Sequence, residues 1–243
     1  MIRKVFKIGI FVILALMVGL VERLHAQQQD TADGYTYKKA SYAGTGKFYQ
    51  GREIAHVMGF QGMDWLERPE REAEESVSTL LKNMKITPTD VIADIGAGSG
   101  YHVFKMAELA SSGLIYGVDI QPEMLFVMDA KKEADKVTNV QVLEGSEKSA
   151  NLTERSVDKV LMVDVYHEFS YPIEMLASIK KALRPGGTVY LIEYRGEDPK
   201  VPIKALHKMT EAQAVKEMKA AGFVLLRNQD NLPWQHCMIF GLK

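Results

Sequence analysis

The sequence predicts an α/β protein. The expected core is a doubly wound, seven-stranded sheet, mostly parallel, with an antiparallel strand from a C-terminal hairpin and a helical cap before it. Three observations carry this. From Val91 onward, short apolar runs alternate with stretches of helical period. A glycine loop, Gly96–Gly100, joins the first run to the first helix. The last two runs, Phe223–Leu226 and Met238–Leu242, have no helix between them and should pair as a hairpin.

The elements follow in order. Arg3, Lys4 and Lys7 precede the uncharged run Ile8–Val21, and Leu24-His25-Ala26 ends in a small residue. This basic, apolar, small-residue order predicts a removable export signal over residues 1–26 and a periplasmic or extracellular protein. Residues 27–47, rich in Gln, Asp, Gly, Ser, Thr and Tyr, read as a flexible spacer. Residues 48–86 read as a helical cap, with a short helix at Arg52–Met58 and a longer one started by Pro69. Val77, Leu80, Leu81 and Met84 give that longer helix its apolar stripe.

Residues 87–243 form the α/β unit. Its seven strands are Val91–Ile95, Leu114–Asp119, Val140–Leu143, Lys159–Val163, Thr188–Ile192 and the two hairpin runs. Strands this short and apolar are buried on both faces. Pro122 and Pro172 start two of the helices, and Thr210 with Gln213 caps the last.

Composition narrows the function classes. The chain of 243 residues has a net charge of -1. Removing Met1–Ala26, with Arg3, Lys4, Lys7 and Arg23 against Glu22, leaves -4. That balance argues against nucleic-acid binding, which draws on a surplus of Lys and Arg. The single cysteine, Cys237, excludes an intramolecular disulfide and a cysteine-based zinc site. Beyond the leader, His56, His102, His167, His207 and His236 show no His-x-x-x-His spacing, so no metal is expected.

The loop Asp94-Ile95-Gly96-Ala97-Gly98-Ser99-Gly100 carries the chemistry. Its glycines permit a tight turn and close approach of a ligand, and the following helix offers free N–H groups. Asp119, ending the second strand 19 residues past Gly100, can accept the hydroxyls of a ribose. The pair leaves a nicotinamide dinucleotide or S-adenosylmethionine. A dinucleotide loop wants a third glycine three residues past the second and no carboxylate before it. Here the glycines alternate, and Asp94 suits an amino-acid ammonium better than a pyrophosphate.

With these motifs the chain resembles the class I S-adenosylmethionine-dependent methyltransferases over about residues 70–243. The resemblance adds Val157–Asp164 and Leu183–Val189 to the first two motifs. It implies a Rossmann-like fold and S-adenosyl-L-methionine as cofactor. It implies that Asp94, Gly96, Ala97, Gly98 and Gly100 hold the methionine part, Asp119 the ribose and Ile120 the adenine. Ser146 and Glu147 would flank the adenine amino group, and Asp164 would border the methyl. His167 and Tyr166, just past the fourth strand, are the candidate catalytic residues. Trp65, Arg68 and Arg71 are the candidate lid over an anionic or aromatic acceptor. The expected function is methyl transfer to a small molecule. A non-catalytic adenosyl-binding module and a protein-carboxyl methyltransferase are the alternatives.

Overall fold

The computed structural model describes residues 33–243. The expected leader and the first part of the expected spacer lie outside the described residues. No helix among those described is long and apolar enough to cross a membrane.

The first element departs from expectation. Strands β1 (Thr36–Tyr37), β2 (Gly44–Tyr49) and β3 (Arg52–Ala55) form a three-stranded antiparallel sheet. A spacer and a helix were expected there. The cause is a second small core: Tyr35, Tyr49 and Ile54 are buried against Tyr171 and Ile173. The Tyr35 hydroxyl donates to Glu174 at 2.6 Å. Arg52 forks onto both oxygens of Glu217 at 2.7 and 2.9 Å.

Short helices follow, α1 (Met63–Leu66), α2 (Arg71–Glu75) and α3 (Val77–Met84). The long helix expected after Pro69 is thus divided. Ser76 takes a left-handed conformation, φ 52°, and its hydroxyl bonds Thr79. Val77, Leu80 and Met84 are buried as the stripe required.

The main sheet is the expected one. Its strands are β4 (Val91–Ile95), β5 (Leu114–Asp119), β6 (Val140–Glu144), β7 (Val157–Val163), β8 (Leu183–Tyr194), β9 (Phe223–Asn228) and β10 (Gln235–Leu242). Their order is β6-β5-β4-β7-β8-β10-β9, and only β10 runs opposite to the other six. Helices α3, α4 (Tyr101–Leu109) and α5 (Pro122–Ala134) cover one face through Leu80, Val103, Met106 and Met128. Helices α6 (Pro172–Ala182) and α7 (Glu211–Ala220) cover the other through Leu176, Ile179, Ala214 and Met218. The chain winds outward from β4 in one direction and from β7 in the other. The carboxyl ends of those two strands therefore open a crevice where ligands bind.

Candidate functional site

A cavity of about 510 Å³ fills that crevice. It lies in the range of small-molecule sites, roughly 300–1,000 Å³. One end is the glycine loop. Gly96 and Gly98 have φ of 72° and 55°, a region costly for side-chain-bearing residues. A Cβ on Gly96 would meet Val165 at 2.3 Å, and one on Gly98 would meet Leu66 at 2.5 Å. The amides of Gly96 and Ala97 donate to the Val118 carbonyl, which ties the loop to β5.

Asp119 has two tasks. Its Oδ2 accepts from the Gly98 amide at 2.8 Å. Its Oδ1 accepts from the Ile120 and Gln121 amides at 2.8 and 2.9 Å. A carboxylate has about four lone-pair sites, so one remains for a ligand hydroxyl. Burial raises the Asp119 pKa despite these amides.

Ile120, Ser146 and Glu147 line the same end of the cavity. Asp94, Ala97 and Gly100 lie behind the lining. Ala97 packs in the core, and Gly100 starts α4 at φ 87°. Asp94 is buried in β4, and its Oδ2 has no hydrogen-bond partner among the described residues. Burial pushes its pKa up to about 7, against the opposing charge of Arg71.

The other end holds Asp164, His167 and Glu168. Asp164 has a left-handed backbone, φ 51°, an uncommon and strained state for a non-glycine residue. Gln235 donates to its Oδ2 at 2.6 Å, while Oδ1 has no partner among the described residues. Burial, with Glu75 and Glu193 adding, holds its pKa well above the ordinary value.

His167 lines the cavity, yet its geometry corrects the role of base. Its Nδ1 bonds Glu193 at 2.6 Å and its Nε2 bonds His207 at 3.1 Å. Burial opposes the charge, but Glu193 and Glu168 outweigh it and push the pKa to about 10. Both ring nitrogens are engaged by neighbouring side chains in this arrangement, so neither is turned free toward an acceptor proton. Tyr166 is corrected outright. It is fully buried, away from the cavity lining, and its hydroxyl donates to Glu217 at 2.9 Å.

The expected lid residues also line the cavity. Trp65 lies under the Arg68 guanidinium, 3.7 Å from its ring centre. Arg68 pairs with Glu74 at 2.8 Å and Glu75 at 2.5 Å, and Arg71 pairs with Glu75 at 2.7 Å. Two cations facing two anions leave no spare charge for an anionic acceptor, which corrects that part of the expectation. Three further contacts join this region to the main domain. Glu67 accepts from Ser99 of the glycine loop at 2.5 Å. The Met58 carbonyl accepts from Gln121 at 3.1 Å, and the Met58 amide donates to Glu168 at 3.1 Å.

The residues fit S-adenosylmethionine. Two glycines stand where a Cβ would clash, one acceptor site remains on Asp119, and two buried carboxylates have an oxygen without a partner. An adenosyl group bearing an ammonium and a sulfonium is the kind of ligand such carboxylates hold.

A profile of the methyltransferase-domain family matches residues 86–236. The tRNA U34 carboxymethyltransferase of Desulfotalea psychrophila is 32% identical over 123 residues, which is 50% of this chain and 38% of that protein. The uncharacterized methyltransferase YdaC of Bacillus subtilis is 28% identical over 143 residues, 59% of this chain and 76% of that one. The chain thus spans well under half of the first relative's length. Among solved structures, a SAM-dependent methyltransferase from Aquifex aeolicus superposes with a TM-score of 0.71 at 20% identity, covering 76% of this chain and 98% of that one. The exclusion of nucleic acid drawn from net charge finds no support in the first relative, whose name contains a tRNA.

Proposed function

Because the chain belongs to the methyltransferase-domain family and its cofactor is S-adenosylmethionine, we propose that it methylates a small, largely apolar acceptor held at the Asp164 end of the cavity. The observation that carries this is one continuous cavity running from Gly96 and Gly98 to Asp164 and His167. When bound, the cofactor supplies a methyl group already activated on a positively charged sulfur. Asp119 and Ile120 would hold its ribose and adenine, with Ser146 and Glu147 at the adenine edge. The Gly96–Gly98 backbone would hold its amino-acid half, above the buried Asp94 carboxylate.

The chain's own work is then positioning and drying. Orientation of two reactants is worth about 7–11 kcal/mol in favourable cases. Trp65, Phe169, Met175, Tyr194 and Ile203 supply an apolar wall on the acceptor side. The Arg68 and Arg71 charges are cancelled by Glu74 and Glu75, which favours an uncharged acceptor. A tRNA acceptor is the second reading, supported by the name of the Desulfotalea relative. We also propose export, supported by the order of residues in Met1–Ala26.

The test is transfer of labelled methyl from S-adenosylmethionine by the full chain. One arm offers a panel of small phenols, thiols and amines, and the other offers total tRNA. Label in the small-molecule arm is expected. Label only in tRNA would replace the acceptor class, and binding of the cofactor without transfer to either would overturn the catalytic reading. N-terminal sequencing from an envelope fraction should find Gln27 first; an intact Met1 on cytoplasmic protein would refute export.

A further inference from the structure

Three donor atoms converge at the acceptor end of the cavity. His167 Nε2 lies 3.1 Å from His207 Nδ1. His207 Nδ1 lies 3.2 Å from Glu168 Oε1. Glu168 Oε1 lies 3.7 Å from His167 Nε2. These three face one another and line the cavity. Donors about 2.1 Å from a common tetrahedral ion stand roughly 3.4 Å apart, and the three observed separations bracket that value.

The donors are also oriented from behind. His167 turns its other nitrogen to Glu193, a carboxylate fully buried in β8, at 2.6 Å. A carboxylate behind a ligating imidazole fixes the ring and raises its basicity. Glu168 has its second oxygen fixed by the Met58 amide, which leaves Oε1 aimed at the two rings. His207, on a one-turn helix at Ala205–His207, is the part-exposed member that closes the triangle.

We propose that His167, Glu168 and His207 form a site for a divalent transition metal of the zinc class, with its remaining position open to the cavity. Two imidazoles and one carboxylate are a donor set suited to zinc, cobalt or iron rather than to magnesium or calcium. Three protein ligands and one open position is the arrangement of a working, not a purely structural, centre. The open position would take an oxygen or sulfur of the acceptor, and a ligated hydroxyl or thiol releases its proton to water more readily than a free one. That role rests on the methyltransferase reading; metal binding itself does not.

The experiment uses the full chain, stripped with a chelator and titrated with Co²⁺ alone, following visible absorption and counting bound metal. One equivalent is expected, with the bands of a four- or five-coordinate site. His207→Ala and Glu168→Gln should each weaken binding at least tenfold, and Glu193→Gln, which would touch no metal, about tenfold. Calorimetry with S-adenosylmethionine on the same proteins should find its affinity within about twofold of the parent. That readout reports the fold and the cofactor site, so a failure of the methyltransferase reading shows there and a failure of the metal site shows in the titration. His207 is part-exposed, so its variant keeps the test sound if the buried Glu168 variant misfolds. Lack of saturation up to millimolar Co²⁺, or unchanged binding in His207→Ala, overturns the proposal.

Discussion

Replacing Asp94 by Asn should stabilise the ligand-free protein at alkaline pH and not at acid pH. Asp94 is only 2% exposed, and one of its oxygens has no partner among the described residues. Burial is the largest cause of its raised pKa, about 7 against an ordinary 3.8. The folded state therefore favours the protonated acid. The stability this group contributes is fully present below the unfolded pKa and is lost as pH rises through about 7. A shift of roughly 3 units corresponds to about 4 kcal/mol at pH 8. The Asn amide leaves a buried polar group of its own, which takes back about 1–3 kcal/mol. A net gain of about 1–3 kcal/mol remains at pH 8, a rise in Tm of several degrees for a domain of this size. At pH 5 the folded acid is neutral but the unfolded one is largely ionised, so only about 1–2 kcal/mol of the penalty is present; the amide cost offsets it, and the variant should melt close to the parent. The assay is Tm against pH for both proteins from pH 5 to 8. A constant difference between the curves, or a variant melting lower at pH 8, would refute the reasoning.

The remaining predictions concern the contacts around the cavity. Asp119→Ala removes both the anchor of the Gly98 amide and the acceptor left for a ribose, and should weaken S-adenosylmethionine binding by about 1–3 kcal/mol in calorimetry. Arg52→Ala leaves the buried Glu217 without its cation and should cost about 3–5 kcal/mol in denaturant unfolding. Tyr166→Phe loses one hydrogen bond to the same buried carboxylate, should cost about 1.5–3 kcal/mol, and should leave cofactor affinity unchanged. Trp65→Ala, at a side chain 44% exposed, should leave Tm within about two degrees while lowering turnover of the acceptor; a large drop in Tm would assign Trp65 to packing alone.

The main sheet was legible because its strands are buried on both faces and so read as short apolar runs bounded by glycine and proline. The glycine loop and Asp119 were legible for a related reason, since close backbone approach and a strand-end carboxylate leave local marks. The small N-terminal sheet left none. Its outer strands have two and four residues, and Arg52-Glu53 interrupts any apolar pattern. The partners that order it, Tyr171 and Ile173, are far along the chain. The triangle of His167, Glu168 and His207 was hidden in the same way. The two histidines are 40 residues apart and meet only because the segment after β8 folds back over β7. One signal was available: Glu193 sits inside the apolar run Tyr190–Tyr194, and a carboxylate in a buried strand requires a partner. Tyr166 shows the opposite error, because adjacency to His167 in sequence put its hydroxyl on the other side of the chain.

The stretch from residue 56 to residue 70 is held at both ends, by β3 on one side and by α2 on the other, whose Glu75 accepts from the Tyr194 hydroxyl of β8 at 2.8 Å. It behaves mechanically as a strap and not as a hinged door. Between those ends it reaches the main domain through hydrogen bonds of Met58, Glu67 and Arg68, the last to the Tyr194 hydroxyl at 3.5 Å, and through Leu66 over Gly98. Each hydrogen bond is worth about 0.5–1.5 kcal/mol, so together they contribute several kcal/mol to holding the strap down. Met58 spans both compartments, with its carbonyl on the Gln121 side and its amide on the Glu168 side. Met58 therefore couples the two ends of the cavity, since any shift of its backbone alters the Gln121 and the Glu168 contacts together.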